Sequence, residues 1–338
     1  MELHHRTNRS VFSLVLQSLI RPFKPHLVAP KKTFPAGSPR LKHDRKYKGG
    51  VGVVERQHQD IWLYDMASHS SSSSSSNTAT TPPPSKRLRM YYIAGGGWQS
   101  PPSGQHWKFC AELVQKVPGL TVTIVSAPLA PASPASVAFP ALKRLYASLL
   151  EQGSRDGEQV MFAGDSSGGN LVLSLALDAL LSDNDKKEDG RGTTDATTTR
   201  PLALLVISPA VDLRPMEARG PEMETLARRD PVLTVGSHNS EAEAFARGVD
   251  PALAWMSPAV GDVGVLARAG VRLVGVTGGH DILTPAALGF RDACAGAGVG
   301  GAWLHWERQM HCFPLAFMYG LPEAVAAKDW IVEQIRGL

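Results

Sequence analysis

The stretch Gly164-Asp165-Ser166-Ser167-Gly168 sets a serine between an apolar run, QVMFAG at 159–164, and a helix-like apolar pattern that begins at 167. This is the G-x-S-x-G arrangement between a strand and a helix, which holds a serine hydroxyl out on a sharp turn at the edge of a sheet. Its glycines let strand and helix approach closely, and the helix N-terminus behind the serine favours developing negative charge. Gly/Ser-rich turns without chemistry share this composition, so the serine needs partners before it means anything. At its free pKa a serine is a poor nucleophile and requires a base and a group to orient that base. On sheets of this kind the partners follow in the order acid, then histidine. LVGVTGGHDILTP places Asp281 just past one apolar strand, and WLHWERQMHCFPL places His311 just past the next. The spacing therefore predicts Ser166 as nucleophile, His311 as base and Asp281 as orienting acid. His280 reads as a loop histidine, His305 falls inside a strand pattern, Asp292 inside a helix pattern, and Asp165 points away from the serine by the geometry of the turn. Acyl transfer also needs oxyanion donors. Gly95-Gly96-Gly97 directly follows the strand RLRMYYIA, where backbone N–H groups can join that of Ser167, the residue after the nucleophile. No G-x-x-x-x-G-K-[ST] occurs, and AGGGWQS lacks a G-x-G-x-x-G opening a helix, so a phosphate cradle is disfavoured.

These residues require a scaffold that brings strand ends together. Apolar runs at 60–66, 87–94, 120–127, 159–164, 203–208, 271–278 and 301–307 alternate with helix patterns at 105–117, 138–153, 167–181, 283–297 and 322–336. Continuous apolar strands alternating with amphipathic helices predict an α/β fold, with a mostly parallel sheet covered on both faces. Residues 214–256 break the alternation and, with residues 1–50, supply material for a cap; residues 51–338 then form the catalytic domain. SHSSSSSSSNTATTPPPSK at 68–86 and SDNDKKEDGRGTTDATTTR at 182–200 are too poor in apolar residues to order themselves and read as disordered surface insertions.

Composition narrows the function classes. Residues 1–48 hold eleven Lys/Arg against Glu2 and Asp44, while the whole 338-residue chain carries only +4, so the body is acidic. The basic arm has no interleaved aromatics, which argues against nucleic acid binding. Cys110, Cys294 and Cys312 are too few and too scattered for a disulfide framework or a metal site, which favours a reducing, cytoplasmic setting, with no metal or organic cofactor required. VFSLVLQSLI at 11–20 is too short and too interrupted for a membrane span, and RPFKPHL after it is no cleavage site. An amphipathic helix packed on the protein is the expectation there, with a peripheral membrane contact as the alternative.

Taken together, AGGG at 94–97, APLAP at 127–131, GDSSGGN at 164–170, SPAVDL at 208–213, DPALAWMSP at 250–258, GHDIL at 279–283 and HCF at 311–313 resemble the hormone-sensitive-lipase-like branch of the α/β-hydrolase superfamily, in family order. The resemblance implies the α/β-hydrolase fold with a helical cap over an acyl pocket. It also implies a Ser166–His311–Asp281 triad, with an oxyanion hole donated by Gly96, Gly97 and Ser167. The implied activity is hydrolysis of esters with a small or medium apolar acyl group. Thioester release in polyketide-type secondary metabolism, arylformamidase-like amide cleavage and a non-catalytic small-molecule receptor are the alternatives. Two residues depart from the pattern: Ala94 stands where the family has a histidine steadying the glycine loop, and Cys312 replaces a glycine after His311.

Overall fold

A computed structural model describes residues 1–27, 32–68, 87–188, 200–216 and 222–338. The elements run β1 (Glu2–Arg6), α1 (Val11–Ile20), α2 (Lys24–Leu27), β2 (Lys46–Tyr47), β3 (Val51–His58), β4 (Ile61–Ser68), β5 (Arg87–Ile93), α3 (Gly104–Lys116), β6 (Leu120–Val125), α4 (Ala135–Asp156), β7 (Glu158–Asp165) and α5 (Ser166–Glu188). They continue with β8 (Ala203–Ile207), α6 (Glu222–Arg229), α7 (Val235–Ala246), α8 (Gly264–Arg268), β9 (Arg272–His280), α9 (Thr284–Gly296), β10 (Gly301–Met310) and α10 (Pro322–Arg336).

The strands form one sheet in the order β1-β10-β9-β8-β7-β5-β6-β4-β3-β2. Pairing is parallel from β1 across to β6 and antiparallel from β6 through β4 and β3 to β2. The central strands are apolar on both sides because both faces are covered: β8 is buried at every position. Apolar side chains of α4, α5, α7 and α9 pack one face and those of α3 and α10 the other. Between β5 and β7 the chain order reverses, and the crevice at the carboxyl ends of such strands is where open α/β sheets take ligands.

Two boundaries differ from the sequence reading. Residues 1–50 do not all belong to a cap: β1 is an edge strand beside β10, and β2 pairs with β3. The edge strand ELHHR is polar and mostly exposed, so it carries none of the apolar signal that marks a buried strand. The strand β3 was not anticipated either, since VGVVERQH is only partly buried at the antiparallel end of the sheet. The insertions expected as disordered fall largely outside the described residues, at 69–86 and 189–199, although α5 continues through Glu188. Among the described residues no helix is long and apolar enough to cross a membrane.

Candidate active site

Ser166 is the first residue of α5 and has φ 51°, a conformation that non-glycine residues adopt only at a cost of about 1–3 kcal/mol. The turn is enforced by close packing. A Cβ on Gly168 would overlap the Ile93 carbonyl at the end of β5, and one on Gly164 would come within 2.6 Å of Gly168. Only glycine at both positions allows β7, α5 and β5 to approach so closely. The Ser166 carbonyl then accepts from the Ala210 N–H at 3.1 Å, which ties the turn to the loop after β8.

Asp281 and His311 lie where β9 and β10 end at the same sheet edge. His311 Nδ1 lies 2.9 Å from Asp281 Oδ2, and the other Asp281 oxygen accepts from the Leu283 N–H at 2.9 Å. Asp281 is wholly buried. In the neutral imidazole, with Nδ1 donating to the carboxylate, His311 Nε2 carries the lone pair. Burial opposes a charge on this imidazole, yet the neighbouring Asp281 carboxylate outweighs it and holds the His311 pKa well above the ordinary value. Among the described residues Ser166 makes no side-chain hydrogen bond, and His311 Nε2 lies 3.4 Å from Cys312 Sγ. Cys312 itself sits at φ 50°, the left-handed conformation that glycine adopts freely. Its N–H donates to Ser208 Oγ at 3.1 Å, which fixes the histidine loop to the end of β8.

The glycine loop is anchored by Asp165, the residue beside the serine. Asp165 Oδ1 accepts from Tyr92 Oη at 2.7 Å and from the Gly95 N–H at 3.0 Å, while Oδ2 lies 3.2 Å from His106 Nε2. Burial alone would raise this carboxyl's pKa; His106, the Gly95 N–H and the Tyr92 hydroxyl instead hold it down at about 2. His106 is aimed by its own helix end: Ser103 caps α3, and the Ser103 N–H donates to His106 Nδ1 at 2.9 Å, leaving Nε2 to carry the proton toward Asp165. The chain thus steadies the loop without a histidine at 94. Sequence reasoning missed both Asp165 and His106 as anchors, although the Ser103-x-x-His106 spacing at a helix start was a usable signal.

Gly96 and Gly97 have φ 139° and 60°. Among the described residues their N–H groups have no acceptor, and Ser167 lies in the first turn of α5, where N–H groups lack intrahelical partners. The Gly96 carbonyl accepts from Ser100 N–H at 2.9 Å, and the Trp98 carbonyl from the Ala130 N–H at 2.8 Å, so the APLAP segment backs the loop. Trp98 Nε1 reaches Asn170 Oδ1 at 3.3 Å, and Asn170 Nδ2 reaches the Met256 carbonyl at 2.9 Å. The motifs scattered along the chain meet here as neighbours.

Two cap-region carboxyls also face the site. Asp230, just after α6, is buried and accepts from the Val232, Leu233 and Ile282 N–H groups at 2.8–2.9 Å, which fastens the segment between α6 and α7 to the Asp281 loop. Burial and the adjacent Asp281 charge raise its pKa to about 6. Glu241 of α7 is 8% exposed, and its carboxyl packs on Gly97 so closely that any Cβ there would overlap it. Among the described residues Glu241 forms no hydrogen bond or ion pair, and burial raises its pKa to about 7 against the opposing charge of His311. Of the decoys, His280 and His305 are held below their ordinary pKa chiefly by burial, at about 4, and Asp292 is exposed and paired with Arg291. Among the described residues no group of His, Cys, Asp and Glu has metal-site geometry.

A strained serine between a parallel strand and a helix, an Asp–His pair on later strand ends and a glycine loop after an earlier strand define an α/β hydrolase. The chain belongs to this family: residues 90–315 match the family described as the alpha/beta hydrolase fold. A relative in Mycobacterium tuberculosis, LipR, named provisionally as an acetyl-hydrolase, is 28% identical over 236 residues, covering 70% of this chain and 68% of LipR. Carboxyl esterase 2 of the mycorrhizal fungus Tuber melanosporum shares the fold with a TM-score of 0.73 at 17% identity, over 98% of this chain and 99% of that one. An esterase from the bacterial hormone-sensitive lipase family aligns with a TM-score of 0.69 at 20% identity, again over 98% of this chain and 99% of that one.

Proposed function

We propose that the protein is a carboxylic ester hydrolase acting through Ser166, His311 and Asp281. The observation that carries this reading is the buried His311 Nδ1–Asp281 Oδ2 contact of 2.9 Å at the sheet edge from which Ser166 projects in its strained turn. In the reaction, His311 Nε2 takes the proton from Ser166 Oγ as Oγ bonds to the ester carbonyl carbon. The carbonyl oxygen becomes the oxyanion held by the Gly96, Gly97 and Ser167 N–H groups, each supplying about 3 kcal/mol of barrier lowering. As the tetrahedral intermediate collapses, the C–O bond to the alcohol breaks and His311 returns the proton to the departing oxygen. Water, deprotonated by His311 in turn, bonds to the acyl carbon; the bond to Ser166 Oγ then breaks, and His311 returns the proton to Oγ as the acid leaves. Asp281 holds the imidazole in the required tautomer throughout.

The acyl group is small or medium and apolar. Trp98 stacks on Phe245 of α7 with ring centroids 5.2 Å apart, and Phe139 of α4 meets Trp255 at 4.7 Å, so apolar packing of α7 and residue 255 surrounds the glycine loop. A panel of p-nitrophenyl butyrate, the matching thioester and an aryl formamide, assayed with wild type and Ser166→Ala, tests the assignment. Ester turnover is expected to be fastest and to fall by at least about 10⁴-fold in the variant. Retained ester turnover would contradict the role of Ser166, and preference for the thioester or formamide would contradict the substrate class.

A further inference from the structure

The helix α1 is built inside out. Its buried residues are the polar ones: Ser13 and Gln17 are 0% and 1% exposed. Ser13 Oγ donates to Glu323 Oε2 at 2.5 Å, Gln17 Nε2 donates to the Arg308 carbonyl at 3.1 Å, and Gln17 Oε1 lies 3.3 Å from His280 Nδ1. The opposite face turns Val11, Phe12, Leu14, Val15 and Leu19 to solvent, with Val11 76% and Leu19 64% exposed. Phe23, in the turn after the helix, extends the ridge at 61% exposure. The polar anchors leave no rotation of α1 that would bury this ridge. Leu16 and Ile20 pack against the core, yet a ten-residue helix that anchors its polar side chains on its own protein and leaves five large apolar ones outside is fitted to something else.

The surroundings of the ridge specify what that is. Arg9, Arg21 and Arg308 lie close enough for their charges to act on one another, with Glu323 as the nearby carboxylate. Arg229 joins the cluster, since its carbonyl accepts from the Arg21 guanidinium at 3.3 Å and its charge reaches His280 alongside the other three. Arg9 and Arg21 bracket α1 at its two ends and Arg308 lies beside Gln17, so cationic residues flank the apolar ridge, which matches a surface with an apolar interior and an anionic rim. A second copy meeting the same face would set arginine cluster against arginine cluster, which disfavours self-association there.

We propose that α1 docks this protein on anionic lipid surfaces, the apolar ridge entering the acyl boundary while the arginine cluster meets the headgroups. Gln17 contacts His280 and Arg308, within three residues of Asp281 and His311, so docking would bring the carboxyl edge of the sheet to the interface. The proposal stands independently of the esterase reading, because binding is scored without turnover.

Cosedimentation with phosphatidylcholine vesicles, with and without about 30% phosphatidylglycerol, tests it on the full chain. Wild type is expected to bind the phosphatidylglycerol vesicles, and to lose affinity with added salt. Phe12→Asp with Leu19→Asp, both on the exposed face, should weaken binding at least about tenfold while circular dichroism and thermal melting remain those of wild type. Arg9→Gln with Arg308→Gln keeps the ridge intact and should weaken binding to the anionic vesicles by about fivefold per charge, with no gain on phosphatidylcholine alone. Absence of wild-type binding to anionic vesicles would overturn the proposal, as would binding that neither pair of substitutions reduces. So would a concentration-dependent dimer, seen by ultracentrifugation without vesicle binding and abolished by the Phe12/Leu19 pair, since the ridge would then serve a second copy.

Discussion

Two carboxyl groups lie against the Gly95–Gly97 loop, and their surroundings are opposite. Asp165, on the β7 side, accepts hydrogen bonds from Tyr92 and the Gly95 N–H, faces His106, and is held at a pKa of about 2. Glu241, on the cap side, packs on Gly97 with no hydrogen bond among the described residues and is raised to about 7 by burial. Both are buried, so burial does not distinguish them; the number of donors does. The satisfied carboxylate belongs to the architecture, because it fixes the Gly95–Gly97 loop. The unsatisfied one has no donor among the described residues, and the charge of His311 only partly offsets the effect of burial on it.

Breaking the satisfied side should have the larger effect. Asp165→Ala leaves the Tyr92 hydroxyl, the Gly95 N–H and His106 without their common acceptor in a buried site, and should cost about 3–5 kcal/mol of stability in urea unfolding. Ester turnover per folded molecule should fall by about 10²-fold or more as the glycine loop loses its tether. Unchanged turnover in the folded variant would mean that the loop holds its shape without Asp165.

Altering the unsatisfied side should give a smaller, pH-dependent effect. A carboxyl whose folded pKa is raised favours its protonated form in the native state, so its contribution to stability declines as pH rises from about 4.3 through about 7. Glu241→Gln removes this decline. The variant should melt with wild type near pH 5 and above it near pH 8, and its kcat/KM relative to wild type should climb through the same window as wild type acquires a carboxylate beside the oxyanion donors. A flat ratio across that window would contradict the placement of Glu241.

The smallest effect is expected at Cys312, whose Sγ lies 3.4 Å from His311 Nε2 and 3.6 Å from Asp165 Oδ2. Cys312→Gly relieves left-handed strain and forfeits a half-buried sulfur, effects that offset to within about 1 kcal/mol. Freed of the thiol, His311 Nε2 should accept the serine proton more readily, and kcat/KM should rise a few-fold. A fall would show that the thiol helps to hold the imidazole in place.

The succession of the buried strands and helices along the chain, and the positions of Ser166, Asp281 and His311 at strand ends, were readable because buried strands and packed helices impose their own periods on the apolar residues. The Gly164 and Gly168 requirement was readable for the same kind of reason: only one residue type fits where three elements meet. Residues 2–6 were not, since an exposed edge strand puts no constraint on side-chain polarity. Nor was the orientation of α1. Its composition reads as an amphipathic helix with its apolar face inward, and only the distant partners Glu323, Arg308 and His280 turn that face out. Asp165 was visible as a residue and not as an anchor, because its donors come from positions 92, 95 and 106, and their convergence is a property of the fold.

The most direct test of the account is covalent. A fluorophosphonate reacts with a serine hydroxyl only where a neighbouring base removes its proton and donors receive the developing charge. Incubated with the folded wild-type protein and mapped by peptide mass spectrometry, it is expected to modify Ser166 at one equivalent per chain, and to fail with His311→Ala. A folded protein that stays unmodified, or a label carried on any other residue, would contradict the assignment.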